Sequence, residues 1–178
     1  MDAKNIKQKE IITFYYKNPH DLPKGYLDEI CKLVESGGSV KTKFVKYNLE
    51  RAYLIAYAME NEVIIGNSSL KHPRKEFIER IKNITVFDFT NFVERGYTSV
   101  RPEYRAMGVG TMLLEGLTKR AGNNKIFSII SEDNKATQTI ALRNKTKKIA
   151  TYFSEKTGKE MGLWMPEHMI EQGWNLEL

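Results

Sequence analysis

The sequence predicts a mixed α/β fold, an α+β arrangement with helices flanking a central mixed sheet. Two apolar, β-rich hairpins, at residues 52–65 and 149–165, supply antiparallel strands. Between them come a strand at 96–100, a helix at 108–121 and a strand at 126–130. A strand–helix–strand run of this kind makes the two strands parallel and the crossover right-handed. No repeat, low-complexity tract or Pro/Ser-rich linker interrupts the 178 residues, so a single domain over 1–178 is expected.

Residues 1–10 are polar and expected to fray. Leu27, Ile30, Cys31 and Val34 recur at helical spacing over 26–35, after Pro23 and Gly25 and before Gly37-Gly38. Residues 52–59 are too apolar to alternate and read as a buried strand; Glu60-Asn61-Glu62 turns the chain and Val63-Ile64-Ile65 starts the return strand. Gly66 inside that strand marks a bulge or a close backbone approach. Pro73 opens a short helix with Phe77, Ile78 and Ile81 on one side, and 84–92 reads as strand or aromatic loop. The strand at 96–100 ends at Pro102. From Gly108 the positions Val109, Met112, Leu113, Leu117 and Ala121 repeat with a 3.6-residue period, and Gly122 closes the helix. A strand at 126–130, a helix from Asn134 to about Asn144 and a hairpin around Lys156-Thr157-Gly158-Lys159 complete the chain.

Composition narrows the function classes. No window reaches the roughly 18 apolar residues of a membrane span, and the first residues lack the apolar core of a secretory signal. A single cysteine, Cys31, can form no internal disulfide, and its apolar helical setting makes it a core residue; a cytoplasmic location is expected. The net charge of +6 favours an anionic partner, whether polyphosphate, nucleic acid or surface. The cluster Lys145, Lys147 and Lys148 reads as a solvated face or a strand-entry turn, and no nucleic-acid-binding signature accompanies it. His20, His72 and His168 are scattered without metal-ligand spacing, so no metal is expected. Trp164 and Trp174 read as packing residues.

The chemistry lies in Val100-Arg101-Pro102-Glu103-Tyr104-Arg105-Ala106-Met107-Gly108-Val109-Gly110-Thr111. A strand stops, a short loop follows, and two glycines open a helix. The first N–H groups of a helix have no internal acceptor, and the macrodipole is positive there. Glycines let an anion approach the main chain, so the segment is a cradle for a pyrophosphate. Arg105 stands beside it and offers a charge-assisted contact. A Rossmann fingerprint needs a third glycine where Leu113 stands and a shorter loop; a phosphate loop needs a lysine after the second glycine, where Thr111 stands.

This segment resembles motif A of the GCN5-related N-acetyltransferase superfamily, Arg/Gln-x-x-Gly-x-Gly/Ala, with Arg105, Gly108 and Gly110 in its places. Asn134, opening a helix after the strand at 126–130, resembles the start of motif B, and 149–165 resembles the closing hairpin. The resemblance covers about 94–165, the expected cofactor-binding core. It implies the acyl-CoA N-acyltransferase fold, a mostly antiparallel mixed sheet with one splayed parallel pair. It further implies an acetyltransferase that uses acetyl-CoA as co-substrate and transfers the acetyl group by direct attack of an amine. Pantetheine would pair with main chain near Val100. The pyrophosphate would take amides of Arg105, Ala106, Met107, Gly108, Val109, Gly110 and Thr111, with Asn134 nearby. A homodimer is implied only by the habit of the family.

A lysine-like amine, with a pKa of about 10.4, arrives protonated and is helped by a general base. Glu94, six residues before Val100, stands where many members of the family carry one. Alternation would put 94, 96, 98 and 100 on one strand face. Otherwise Glu94 is an exposed carboxylate paired with Arg95 or a lysine; Asp88 is a second candidate base. The family's tyrosine acid is missing from residues 134–146, which leaves Tyr97, Tyr104 and Tyr152 as substitutes. The acceptor stays open: a small amine or amino acid, an aminoglycoside-like antibiotic, or a protein amine, read by the loop near Lys71-His72-Pro73 and by 84–92. The alternative is a catalytically silent acyl-CoA-binding or regulatory module.

Overall fold

The computed structural model describes residues 11–37 and 42–174. The expected fraying of residues 1–10 and the packing of Trp174 lie outside the described residues and side chains. Seven strands form one sheet: β1 (Thr13–Lys17), β2 (Leu54–Glu60), β3 (Val63–Lys71), β4 (Phe92–Val100), β5 (Lys125–Ser131), β6 (Thr146–Ser154) and β7 (Lys159–Pro166). Their order is β1-β2-β3-β4-β5-β7-β6, and every pairing is antiparallel except β4 with β5. The helices are α1 (Tyr26–Ser36), α2 (Val45–Glu50), α3 (Lys75–Lys82), α4 (Val109–Lys119), α5 (Lys135–Arg143) and α6 (Glu167–Trp174). The mixed sheet and its parallel pair are as expected. The short elements β1, α2 and α6 carry too few periodic residues to be read from sequence, and 84–91 is loop leading into β4.

Each sheet face has its own core. On one, Ile30, Val34, Val45 and Leu49 of α1 and α2 pack on Ile55, Tyr57 and Ile64. On the other, Val109, Leu113 and Leu117 of α4 pack among Ala56, Ala58, Leu70, Val93 and Ile126. Fully burying one such leucine contributes about 1.5–3 kcal/mol, so α4 is firmly seated. Gly66 serves both of its expected roles. The β2–β3 register slips beside it, so Ile65 bulges out. A Cβ on Gly66 would stand 3.0 Å from Val109 Cγ1 and 3.4 Å from Leu113 Cδ1, so its absence lets α4 approach β3. Cys31 is buried in the α1 core, and Trp164 packs with Ile130 and Ala141.

Candidate active site

Strands β4 and β5 pair over Phe92–Lys125, Val93–Ile126 and Glu94–Phe127 and then part. From Ser128 onward β5 pairs with β7, while β4 stays with β3. A fork therefore opens in the sheet just beyond Glu94.

Along the β4 arm the register against β3 slips between Asn67 and Ser69, so that Tyr97 and Thr98 together oppose Ser68. Tyr97 takes a φ of 54°, a left-handed conformation uncommon for a bulky side chain. Three β3 side chains hold this bulge. Asn67 Nδ2 donates to the Tyr97 carbonyl at 2.7 Å, Ser69 Oγ donates to the Gly96 carbonyl at 3.1 Å, and the Ser68 and Thr98 hydroxyls share a bond of 2.9 Å. The extra residue reverses the side-chain alternation. Glu94 pairs with Lys71, Gly96 with Ser69 and Ser99 with Asn67, which sets these six on one face; Val100 pairs with Gly66 on the other. The expectation that 94, 96, 98 and 100 share a face is thus corrected: Glu94 and Val100 point to opposite sides of the sheet.

Beyond Val100 the chain is anchored and then exposes its amides. Arg101 donates from its amide to Ile65 O at 2.9 Å and from Nε to Ile64 O at 2.8 Å. Arg105 is exposed and donates from Nε to Val100 O at 3.1 Å. Ala106 and Gly108 then adopt positive φ, 61° and 84°, before α4 begins at Val109. The first α4 amide to find a helical acceptor is that of Met112, on Gly108 O at 3.0 Å. The amides of residues 106–111 precede it and have no acceptor among the described residues. Space above Gly108 is open, with no atom within 4 Å of an added Cβ. A Cβ on Gly110 would lie 3.2 Å from Ile140 of α5 and 3.8 Å from Val100 Cγ2, so this glycine lets α4, α5 and the end of β4 converge. Asn134 caps α5, its Oδ1 accepting from the Thr137 amide at 3.1 Å. Alternating left-handed residues and a free helix start are the backbone pattern of an anion-binding concavity.

The acetyltransferase (GNAT) family model matches residues 19–142, well over half of the chain. The chain belongs to this family. No curated protein matches it. Solved structures share the fold at low identity. The ribosomal-protein-S18-alanine N-acetyltransferase of Escherichia coli is 15% identical, with 87% of this chain and 92% of that one covered at a TM-score of 0.62. The IAA acetyltransferase of Bacillus cereus is 14% identical over 87% and 99%, also at 0.62. YncA of Salmonella typhimurium, solved with its cofactor acetyl-CoA, is 17% identical over 86% and 92% at 0.61.

In this GNAT chain Glu94 is partly exposed and forms an ion pair with Lys71, Nζ to Oε1 2.9 Å. The Lys71 ammonium also stands 4.0 Å from the Tyr97 ring centroid. Arg95, the other partner foreseen for Glu94, points to the α4 face instead and is buried. It donates to three hydroxyls, those of Ser128 at 3.3 Å, Thr118 at 2.7 Å and Thr146 at 2.9 Å. Among the described residues no carboxylate pairs with it, and burial lowers its pKa to about 10. Arg95 thus ties β4, β5, α4 and the first residue of β6 at the closed end of the fork. Nothing in its local sequence marks it as buried.

Asp88 is exposed and accepts from the Thr90 amide and hydroxyl at 3.0 and 2.6 Å; these bonds lower its pKa, which suits an Asx turn better than a base. Tyr104 donates to Glu60, and Tyr97 accepts from Asn48 Nδ2 at 2.7 Å. Tyr152 is half-buried beside Phe77, and burial, reinforced by Glu94, pushes its hydroxyl up to about 12. Within 84–92, Phe89 and Phe92 pack against Phe127 in the core, leaving Ile84 and Val86 as the exposed apolar residues. Among the described residues no group of three His, Cys, Asp or Glu is placed to hold a metal, and no helix is long and apolar enough to cross a membrane. A cavity of about 340 Å³, lined by Tyr15, Tyr26 and Tyr57, lies at the β1 edge and shares no residue with the fork.

Proposed function

We propose that this GNAT acetyltransferase binds acetyl-CoA in the fork, with its pyrophosphate on the amides of residues 106–111, the expected Arg105 amide being already held by Pro102 O at 3.2 Å, and acetylates an amine by direct attack. The observation that carries the reading is the run of acceptor-free amides at the start of α4, next to the strand that leads out of the fork. Glu94 accepts the proton lost by the amine. The nitrogen lone pair forms the N–C bond to the acetyl carbon, and the C–S pair leaves with sulfur. A thiol with a pKa of about 8.5 is a tolerable leaving group, and Tyr152, which keeps its proton throughout the physiological range, is the donor nearest in character to the missing acid. A single domain, a cytoplasmic location and a homodimer belong to the same proposal.

A catalytically silent acyl-CoA-binding module is favoured by one observation, the engagement of Glu94 by Lys71. Two measurements separate these readings. Acetyl-CoA at about 100 times its dissociation constant should stabilise the protein by roughly 2.7 kcal/mol, and Gly108→Glu should abolish that shift while leaving the protein folded. Glu94→Gln should lower turnover by about 10²–10³ without changing acetyl-CoA affinity. No shift at millimolar acetyl-CoA removes the cofactor assignment; full activity in Glu94→Gln removes the base.

A further inference from the structure

We propose that the acceptor is a zwitterion, an amine with a carboxylate close by as in an α-amino acid, and that Lys71 is the residue that selects it. This rests on the transferase reading above. Lys71 ends β3 directly opposite Glu94, at the last rung before the fork. Its side chain is only 10% exposed, an unusual position for an ammonium. It crosses Gly96, where an added Cβ would stand 3.4 Å from Cε and 3.5 Å from Nζ. An ammonium has three N–H donors. One goes to Glu94 Oε1, a second side of the group faces the Tyr97 ring, and no further acceptor contacts it among the described residues. Glu94 in turn has no described donor on Oε2. The pair therefore offers an N–H and a carboxylate oxygen side by side.

An ammonium and a carboxylate on one carbon complement that pair in charge and spacing. The wider surroundings point the same way. Tyr152 of β6 is within electrostatic reach of both Glu94 and Arg80 of α3, so a second cation, Arg80, stands on the Tyr152 side of the pair. A polycation such as an aminoglycoside would meet like charge. A simple alkylamine, or the amino terminus of a protein, would bring no carboxylate for Lys71. In the transfer the bound ammonium first loses one proton to solvent; the nitrogen lone pair then forms the N–C bond, the C–S pair leaves on sulfur, the second N–H proton passes to Glu94, the thiolate takes a proton from solvent, and the substrate carboxylate stays on Lys71.

The test measures thiol release from acetyl-CoA by the full-length protein with the twenty common α-amino acids, with phenethylamine, tryptamine, histamine and cadaverine, and with kanamycin. At least one amino acid is expected to exceed its decarboxylated amine by about a hundred-fold in kcat/KM, mostly through KM. Lys71→Met should collapse that ratio and Lys71→Arg should keep it. A decarboxylated amine or kanamycin used as well as the amino acids overturns the proposal, as does an unchanged ratio in Lys71→Met. Should Lys71→Met fail to fold, the wild-type ratio decides alone. Binding of acetyl-CoA without turnover of any amino acid overturns the acceptor assignment and leaves the cofactor reading intact. Failure to bind acetyl-CoA overturns both.

Discussion

Replacing Gly116 by alanine should destabilise the protein, although alanine is the better helix former. Gly116 lies in the middle of α4, and Tyr16 of the edge strand β1 rests across it. A Cβ there would overlap the edge of the Tyr16 ring and its hydroxyl. The Tyr16 hydroxyl donates to Met112 O at 3.2 Å, and the Arg120 guanidinium sits 4.0 Å from the ring centroid. Moving the ring forfeits a hydrogen bond of about 1 kcal/mol and a cation–π contact of about 0.5–1 kcal/mol. Crowding adds about 1–3 kcal/mol, and the propensity gain returns about 1 kcal/mol. The net is a loss of about 1.5–4 kcal/mol, or roughly 3–16 °C in Tm for a chain of this size. Urea unfolding of wild type, Gly116→Ala, Tyr16→Ala and the double variant measures it. In the Tyr16→Ala background the sign should reverse, with Gly116→Ala stabilising by about 0.5–1 kcal/mol. An equal cost in both backgrounds would refute the assignment of the clash to Tyr16.

Three further outcomes are expected. Burial holds the Cys31 thiol at about 11 against an ordinary 9.0, so the folded chain keeps a proton that the unfolded chain has released between those values. Stability should therefore fall as pH rises from 9 to 11, and Cys31→Ala should flatten that part of the profile in urea titrations. Asn134→Ala removes the α5 cap and should cost about 1 kcal/mol by the same assay. Arg95→Ala opens a cavity and strips the Ser128, Thr118 and Thr146 hydroxyls of their donor, a loss of about 3–5 kcal/mol by urea unfolding; a change below about 0.5 kcal/mol, the size of an ordinary surface substitution, would show that the clasp contributes little.

Local signals in the sequence account for the framework. Gly108, Gly122 and Gly158 all sit at positive φ where a helix start, a helix end and a turn were read, and Val109, Leu113 and Leu117 of the α4 periodicity form a buried stripe, whereas Met112, expected on it, is exposed. The fork's parallel pair follows from the strand–helix–strand order. What escaped was specified from a distance. The bulge at Tyr97 has no glycine of its own at the left-handed position; it is imposed by Asn67, Ser68 and Ser69 on the neighbouring strand, and with it goes any side-chain assignment based on strict alternation. Arg95 reads as a surface charge because its hydroxyl partners lie on three other elements. The pairing of Glu94 with Lys71 depends on strand register, which spacing within one strand cannot reveal.

The two arms of the fork are not equally free. Hydroxyl and amide groups of β3 grip the β4 arm along the stretch where the ladder slips, and Arg95 fastens the closed end like a rivet. The opposite arm, β5, is bound beyond the fork to its antiparallel neighbour β7, with β6 behind it. Widening of the gap by an entering guest must therefore swing the C-terminal three-stranded leaf outward, while the strand bearing Glu94 stays still.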